Sequence, residues 1–204
     1  MSTPKSPEEL RTLAYTGVFQ LSGAVEGAVS GGVTGGEDEL SQLPRRAADQ
    51  VMNMAARRLA FQLLYELDQK RPGDADAAMV VRDALKGVRD LGPVAAEVVS
   101  ELVLGAWSAR SAADAEYREL APEWPTHRQA AVDRALLRLA HFEMSSGRNP
   151  AKVVVNETVE LAKHFSTEKA PGFINALLDK VMKRVESRPN LASGGEAPGE
   201  AAQG

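Results

Sequence analysis

Two arginine pairs, Arg45-Arg46 and Arg57-Arg58, bracket the start of a stretch in which Arg58, Phe61, Gln62 and Tyr65 fall on one side of a helix. Cations can meet phosphates there, and an aromatic ring beside them can stack on an unpaired base. That chemistry suits single-stranded RNA. An ordinary amphipathic helix with a solvated arginine pair would carry the same residues, so the spacing leaves both readings open.

Catalytic chemistry finds less footing. Gly31-Gly-Val-Thr-Gly-Gly36 lacks the Lys-Ser/Thr that would cradle a phosphate and runs into a solvated acidic linker, Gly35-Gly36-Glu37-Asp38-Glu39. The three histidines lie in different helices or caps. His164 follows Glu160 by four residues, a spacing compatible with a metal, but such a pair is more commonly a surface contact. His141 reads as a packed or partly exposed side chain. Arg134 and Arg138, one turn apart, read as salt-bridge partners of Asp133 or Glu143. No nucleophile, base and orienting group assemble, so no enzyme activity, cofactor or metal is expected.

The elements that must position these residues are helical. Ala60, Leu63, Leu64 and Leu67 recur at i, i+3, i+4 and i+7, and Pro72-Gly73 stops that helix. Further helices are predicted over 76–89, 94–109 and 112–121. Thr126-His127-Arg128-Gln129 reads as a capping box opening a fifth, and Asn149-Pro150 as the cap of a sixth. A seventh carries Ile174, Leu177, Leu178, Val181 and Val185. No strand-like alternation competes with these stripes.

The ends differ from this middle. Ser6-Pro7-Glu8-Glu9 has capping-box spacing, so a short helix could start there. Gly23, Gly27, Gly31 and Gly35 then recur every four residues, which in a chain this polar favours low order over a packed helix. Residues 1–51 read as an N-terminal extension, poorly ordered or lying upstream of a misassigned start, with Met52 and Met54 just ahead of the first long helix. Residues 186–204, rich in Pro, Gly, Ala and Glu, read as a disordered tail.

Composition fits one helical domain over 52–185. Aromatic residues make up 5% of the chain, and it has no cysteine, hence no disulfide framework and no Cys-based zinc site; a reducing cytoplasm is the expected location. The stretch Thr12 to Gly36 is broken by Gln20, Glu26 and glycines and does not read as a membrane span. The formal net charge of −4 is carried by the flanks: residues 45–185 hold 21 Lys plus Arg against 19 Asp plus Glu. A mildly basic middle can bind a phosphate backbone if its cations share a face.

Asp133-Arg-Ala-Leu-Leu-Arg-Leu-Ala-His-Phe-Glu-Met144, then Pro150-Ala-Lys-Val-Val-Val-Asn-Glu-Thr-Val-Glu-Leu-Ala-Lys-His-Phe165, then Phe173-Ile-Asn-Ala-Leu-Leu-Asp-Lys180 resemble the last three helices of the NusB family of transcription antitermination factors. The resemblance continues more thinly through Arg57-Arg-Leu-Ala-Phe-Gln-Leu-Leu-Tyr65 and Glu101-Leu-Val-Leu-Gly105.

The resemblance implies an all-α fold of about seven helices, in two small bundles packed at a large angle. It also implies RNA binding without catalysis. The expected ligand is the boxA element of ribosomal RNA leaders, bound with the ribosomal protein NusE, and the expected setting is an antitermination complex of RNA polymerase with NusA and NusG. Carried over residue by residue, it places Arg57, Gln62, Tyr65, Phe165, Lys169 and Phe173 on the RNA surface, with Arg58 as a neighbour. Asn156, Glu157, Asn175 and Asp179 also match, chiefly as groups tying helices together. This chain departs from the pattern at Asn53-Met54-Ala55, where basic residues are common, and at Ser166 and Pro171-Gly172 in the last loop. A NusB-like module linked to rRNA modification and a helical protein-interaction scaffold stay open beside this reading, as does the choice between monomer and homodimer.

Overall fold

A computed structural model of the chain describes residues 6–17, 20–21, 43–89 and 91–187. The glycine repeat, the acidic linker and the tail beyond Ser187 lie outside them.

Helix α1 (Pro7–Thr12) starts where the sequence places a capping box. Glu9 N–H donates to the Ser6 hydroxyl at 3.2 Å, Ser6 N–H donates to the Glu9 carboxylate at 2.6 Å, and Pro7 occupies the first turn. A π-helical turn, Leu13–Gly17, continues it. Helix α2 (Arg45–Lys70) begins upstream of Met52, inside the stretch assigned to the extension, and buries Val51, Leu59, Leu63 and Leu67. It ends on Arg71, at φ 49°, whose N–H caps the Leu67 carbonyl just before Pro72. That left-handed turn costs a non-glycine residue about 1 kcal/mol.

Helix α3 (Asp74–Lys86) has acidic residues in its first turn and a lysine in its last, which suits the helix dipole. It starts at Asp74, two residues ahead of the expected Asp76, and ends at Lys86, three residues short of the expected Arg89, with Gly87 as its cap. Val88–Arg89 instead pairs antiparallel with Gln20–Leu21 as a two-residue ladder. A ladder that short leaves no period-2 signal.

Helices α4 (Pro93–Ser108) and α5 (Arg110–Leu120) follow, joined at Ala109. The expected capping box at Thr126 is a 3₁₀ turn, Thr126–Arg128, and α6 (Ala131–Ser145) starts later with no side-chain cap. Nor does Asn149 cap α7 (Ala151–Phe165); its amide is spent on a buried carboxylate described below. Helix α8 (Ala170–Ser187) closes the described chain.

Packing explains the order. Helix α2 lies against α4 and α6, while α6 also packs on α7 and α8. The central α6 buries Leu136, Leu137 and Leu139 among neighbours from both groups. Gly105 makes one of these approaches possible, because a Cβ there would collide with the Phe142 ring of α6. Among the described residues, no helix is long and apolar enough to cross a membrane.

Candidate nucleic-acid interface

The arginine pair of α2 turns inward. Arg57 donates from Nε and Nη2 to the two carboxylate oxygens of Glu143, each at 2.7 Å, and Asn149 Nδ2 donates to the same carboxylate at 2.9 Å. Burial alone would lower the Arg57 pKa, but the hydrogen bond and charge of Glu143 outweigh it and raise it above the ordinary value. Both side chains are sealed, with Arg57 4% and Glu143 0% exposed. Arg57 therefore ties α2 to α6 and presents no free guanidinium at the surface.

Arg58 is equally buried and donates to the backbone carbonyl of Tyr15 in the turn after α1. Burial pulls its pKa down to about 10, and the nearby Tyr15 offsets only part of that.

Gln62 and Tyr65 lie further along α2, the former half-buried and the latter 38% exposed. Phe165, at the end of α7, is brought to α2 through Phe61, with ring centroids 5.0 Å apart. Ser166, in the position that departs from the family pattern, donates to Asp133 at the start of α6. Lys169 is exposed one turn before Phe173, which is half-buried on α8.

Three residues outside the sequence expectation, Trp124, Arg128 and Tyr15, gather beside Phe173 and Phe165. Trp124 is 43% exposed and its ring lies 6.1 Å from Phe173, while the Arg128 guanidinium sits 5.8 Å from the Trp124 ring centre. The available signal was an aromatic between Pro122 and Pro125 with arginine four residues on. Tyr15 is the third addition. Its ring meets His164 edge-on at 5.0 Å and Phe165 at 6.2 Å.

Arg134 and Arg138 pair with Asp68 of α2, and Arg138 also pairs with Asp114 of α5, rather than with Asp133 or Glu143. This network lines a cleft of about 560 Å³ together with Arg71, Arg118 and His127. His141 is buried and lies 2.9 Å from Glu116. His164 engages rings, while Glu160 pairs with Lys163 and faces Arg11. Asp179 pairs with Lys183 on its own helix, and Asn156 hydrogen-bonds Glu157 one residue on.

The fold and this face are those of an all-α helical-bundle protein. Residues 54–183 match the family model described as NusB family, and the chain belongs to that family. It is 36% identical over 135 residues to the transcription antitermination protein NusB of Roseiflexus sp. (strain RS-1), covering 65% of this chain and 92% of that protein. It is 38% identical over 130 residues to the protein of the same name from Anaeromyxobacter dehalogenans (strain 2CP-1 / ATCC BAA-258), covering 62% and 87%. Among solved structures, T. maritima NusB aligns with a TM-score of 0.58 at 26% identity, over 64% of this chain and 89% of that one. A structure of antitermination factors NusB and NusE in complex with dsRNA aligns with a TM-score of 0.55 at 25% identity, over 65% and 97%.

Proposed function

We propose that this protein is a transcription antitermination factor that binds boxA RNA of ribosomal RNA leaders together with NusE, in the cytoplasm and without catalysis. In this reading it loads with NusA and NusG onto RNA polymerase and suppresses premature termination. The observation that carries it is a NusB-family chain in which Tyr65, Lys169 and the Phe173–Trp124–Arg128 group remain accessible. Rings of this kind stack on bases while neighbouring cations neutralise phosphates. The solved NusB–NusE–dsRNA complex supplies the precedent for both partners.

Burial of Arg57 and Arg58 removes two cations from the expected surface. Affinity for RNA alone is then weak, and NusE has to extend the surface and add selectivity. The same burial favours a second reading, a helical protein-interaction scaffold with no RNA role. A read-through assay separates them. Reconstituted RNA polymerase with NusA, NusG and NusE transcribes a boxA-containing template ahead of a terminator, with and without this protein. Read-through that rises only with intact boxA supports antitermination, and read-through indifferent to boxA supports the scaffold.

A further inference from the structure

Residues 6–17 lie outside the span that matches the family, yet they contact Arg58 and Phe165, residues that the resemblance places beside or on the RNA surface. Leu10, Leu13, Ala14 and Tyr15 are buried, and the segment packs along α2. Tyr15 makes the informative contacts. Its carbonyl oxygen takes a hydrogen bond from Arg58, where a phosphate oxygen would sit, and its ring lies against His164 and Phe165, where a base would stack. One residue thus presents an oxygen acceptor and an aromatic ring to the two groups that would receive a nucleotide. Arg11 extends the contact to α7, with its guanidinium 3.9 Å from both Glu157 and Glu160.

The seat is imperfect. Among the described residues, the Tyr15 hydroxyl and one Glu157 carboxylate oxygen are buried without a hydrogen-bond partner, a desolvation cost that no described group offsets. Burial, with the Glu157 charge adding to it, raises the Tyr15 pKa; burial also raises that of Glu157, although Arg57 and Arg11 oppose it. Apolar burial holds the segment down while these polar groups weaken it, as befits a contact that opens locally.

We propose that residues 6–17 are an intramolecular strap that competes with RNA for the Arg58–Phe165 face, so that this protein binds RNA in its strap-displaced state. The inference rests on the RNA-binding reading above. Displacement removes the Tyr15 carbonyl from Arg58 and uncovers the half-buried Phe165 ring beside His164, which is already exposed.

The test uses the full chain and a boxA-containing RNA oligonucleotide. Amide hydrogen exchange over residues 6–17 is followed with and without saturating RNA, and RNA affinity is measured for the wild type, Tyr15→Ala and Leu13→Asp. Faster exchange in the RNA-bound wild type is expected. The variants are expected to bind roughly tenfold tighter, the gain that follows when the open state rises from about a tenth of molecules to nearly all. Exchange needs no substitution, so it decides even where a variant fails to fold. A wild type that binds RNA with residues 6–17 still protected, and folded variants that bind no tighter, would overturn the strap and leave the RNA reading standing. Absence of RNA binding by the wild type and by folded, strap-released variants, with NusE present, would overturn both.

Discussion

Arg57 and Glu143 are 86 residues apart in sequence and meet through two parallel 2.7 Å hydrogen bonds in the interior, where α2 crosses α6. Charge this deep is tolerated only when its partner is present. Glu143→Gln should lower the unfolding free energy by about 3–5 kcal/mol, because it leaves the guanidinium without its counter-charge. Urea unfolding of Arg57→Met, Glu143→Leu and the double variant completes the cycle. The double variant should be less damaged than the sum of the singles, and strict additivity would mean that the pair carries no coupling.

This pair also marks the limit of what the sequence makes legible. The apolar stripes are local, so the helices from Asp74 onward are readable to within a few residues, whereas the first turns of α2, Arg45 to Val51, fall in the stretch that the sequence assigns to the extension. Which face of a long helix is buried is a tertiary fact. Arg57 and Arg58 are consecutive residues of a cation-bearing helix, and nothing within one turn says that a carboxylate on α6 and a carbonyl after α1 await them. The capping box at Ser6 is local and readable, whereas the docking of that helix on α2 depends on partners dozens of residues away. Tyr65 and Lys169 are exposed while Gln62 is half-buried, and Trp124 meets Phe173 only through the fold.

Asp68 gives the structure a pH-dependent element. Burial pushes its carboxyl up, but hydrogen bonds and charge from Arg134 and Arg138 outweigh this and hold it below the ordinary value. A depressed native pKa means stability that is fully present above the unfolded value of about 3.9 and is lost as pH falls through the native one. Asp68→Asn should therefore destabilise strongly at pH 7, with the gap to wild type closing in acid below that value. Denaturant midpoints measured across that range check it, and a gap constant with pH would contradict it.

Gly105 tests the packing of α4 on α6. Alanine is a better helix former than glycine by about 1 kcal/mol, so propensity alone predicts stabilisation by Gly105→Ala. The Phe142 ring occupies the space that the new methyl needs. Net destabilisation of about 1–3 kcal/mol is expected from overpacking, and it should vanish in a Phe142→Leu background. Thermal unfolding of the four proteins is sufficient. A stabilised Gly105→Ala single variant would show that the approach is looser than described.

On the accessible face, Tyr65→Ala and Phe173→Ala should each weaken RNA binding by about 1–3 kcal/mol, the range for losing one stacked base. Lys169→Gln should weaken it on every RNA sequence and reduce the salt slope by about 1. Tyr65→Ala and Lys169→Gln should leave the denaturant midpoint close to wild type, since both side chains are exposed, whereas Phe173→Ala should lower it, since its half-buried ring packs on Trp124 and the core. A loss of affinity matched by a loss of stability in the Tyr65 and Lys169 variants would place those two residues in the scaffold instead.

The most direct measurement is fluorescence anisotropy of a boxA-containing RNA and a scrambled control, titrated with this protein in the presence and absence of NusE from the same organism, at two salt concentrations. Weak, salt-sensitive binding alone, becoming tight and selective for boxA when NusE is added, is the predicted result. Equal affinity for both RNAs whether or not NusE is present would contradict the antitermination reading.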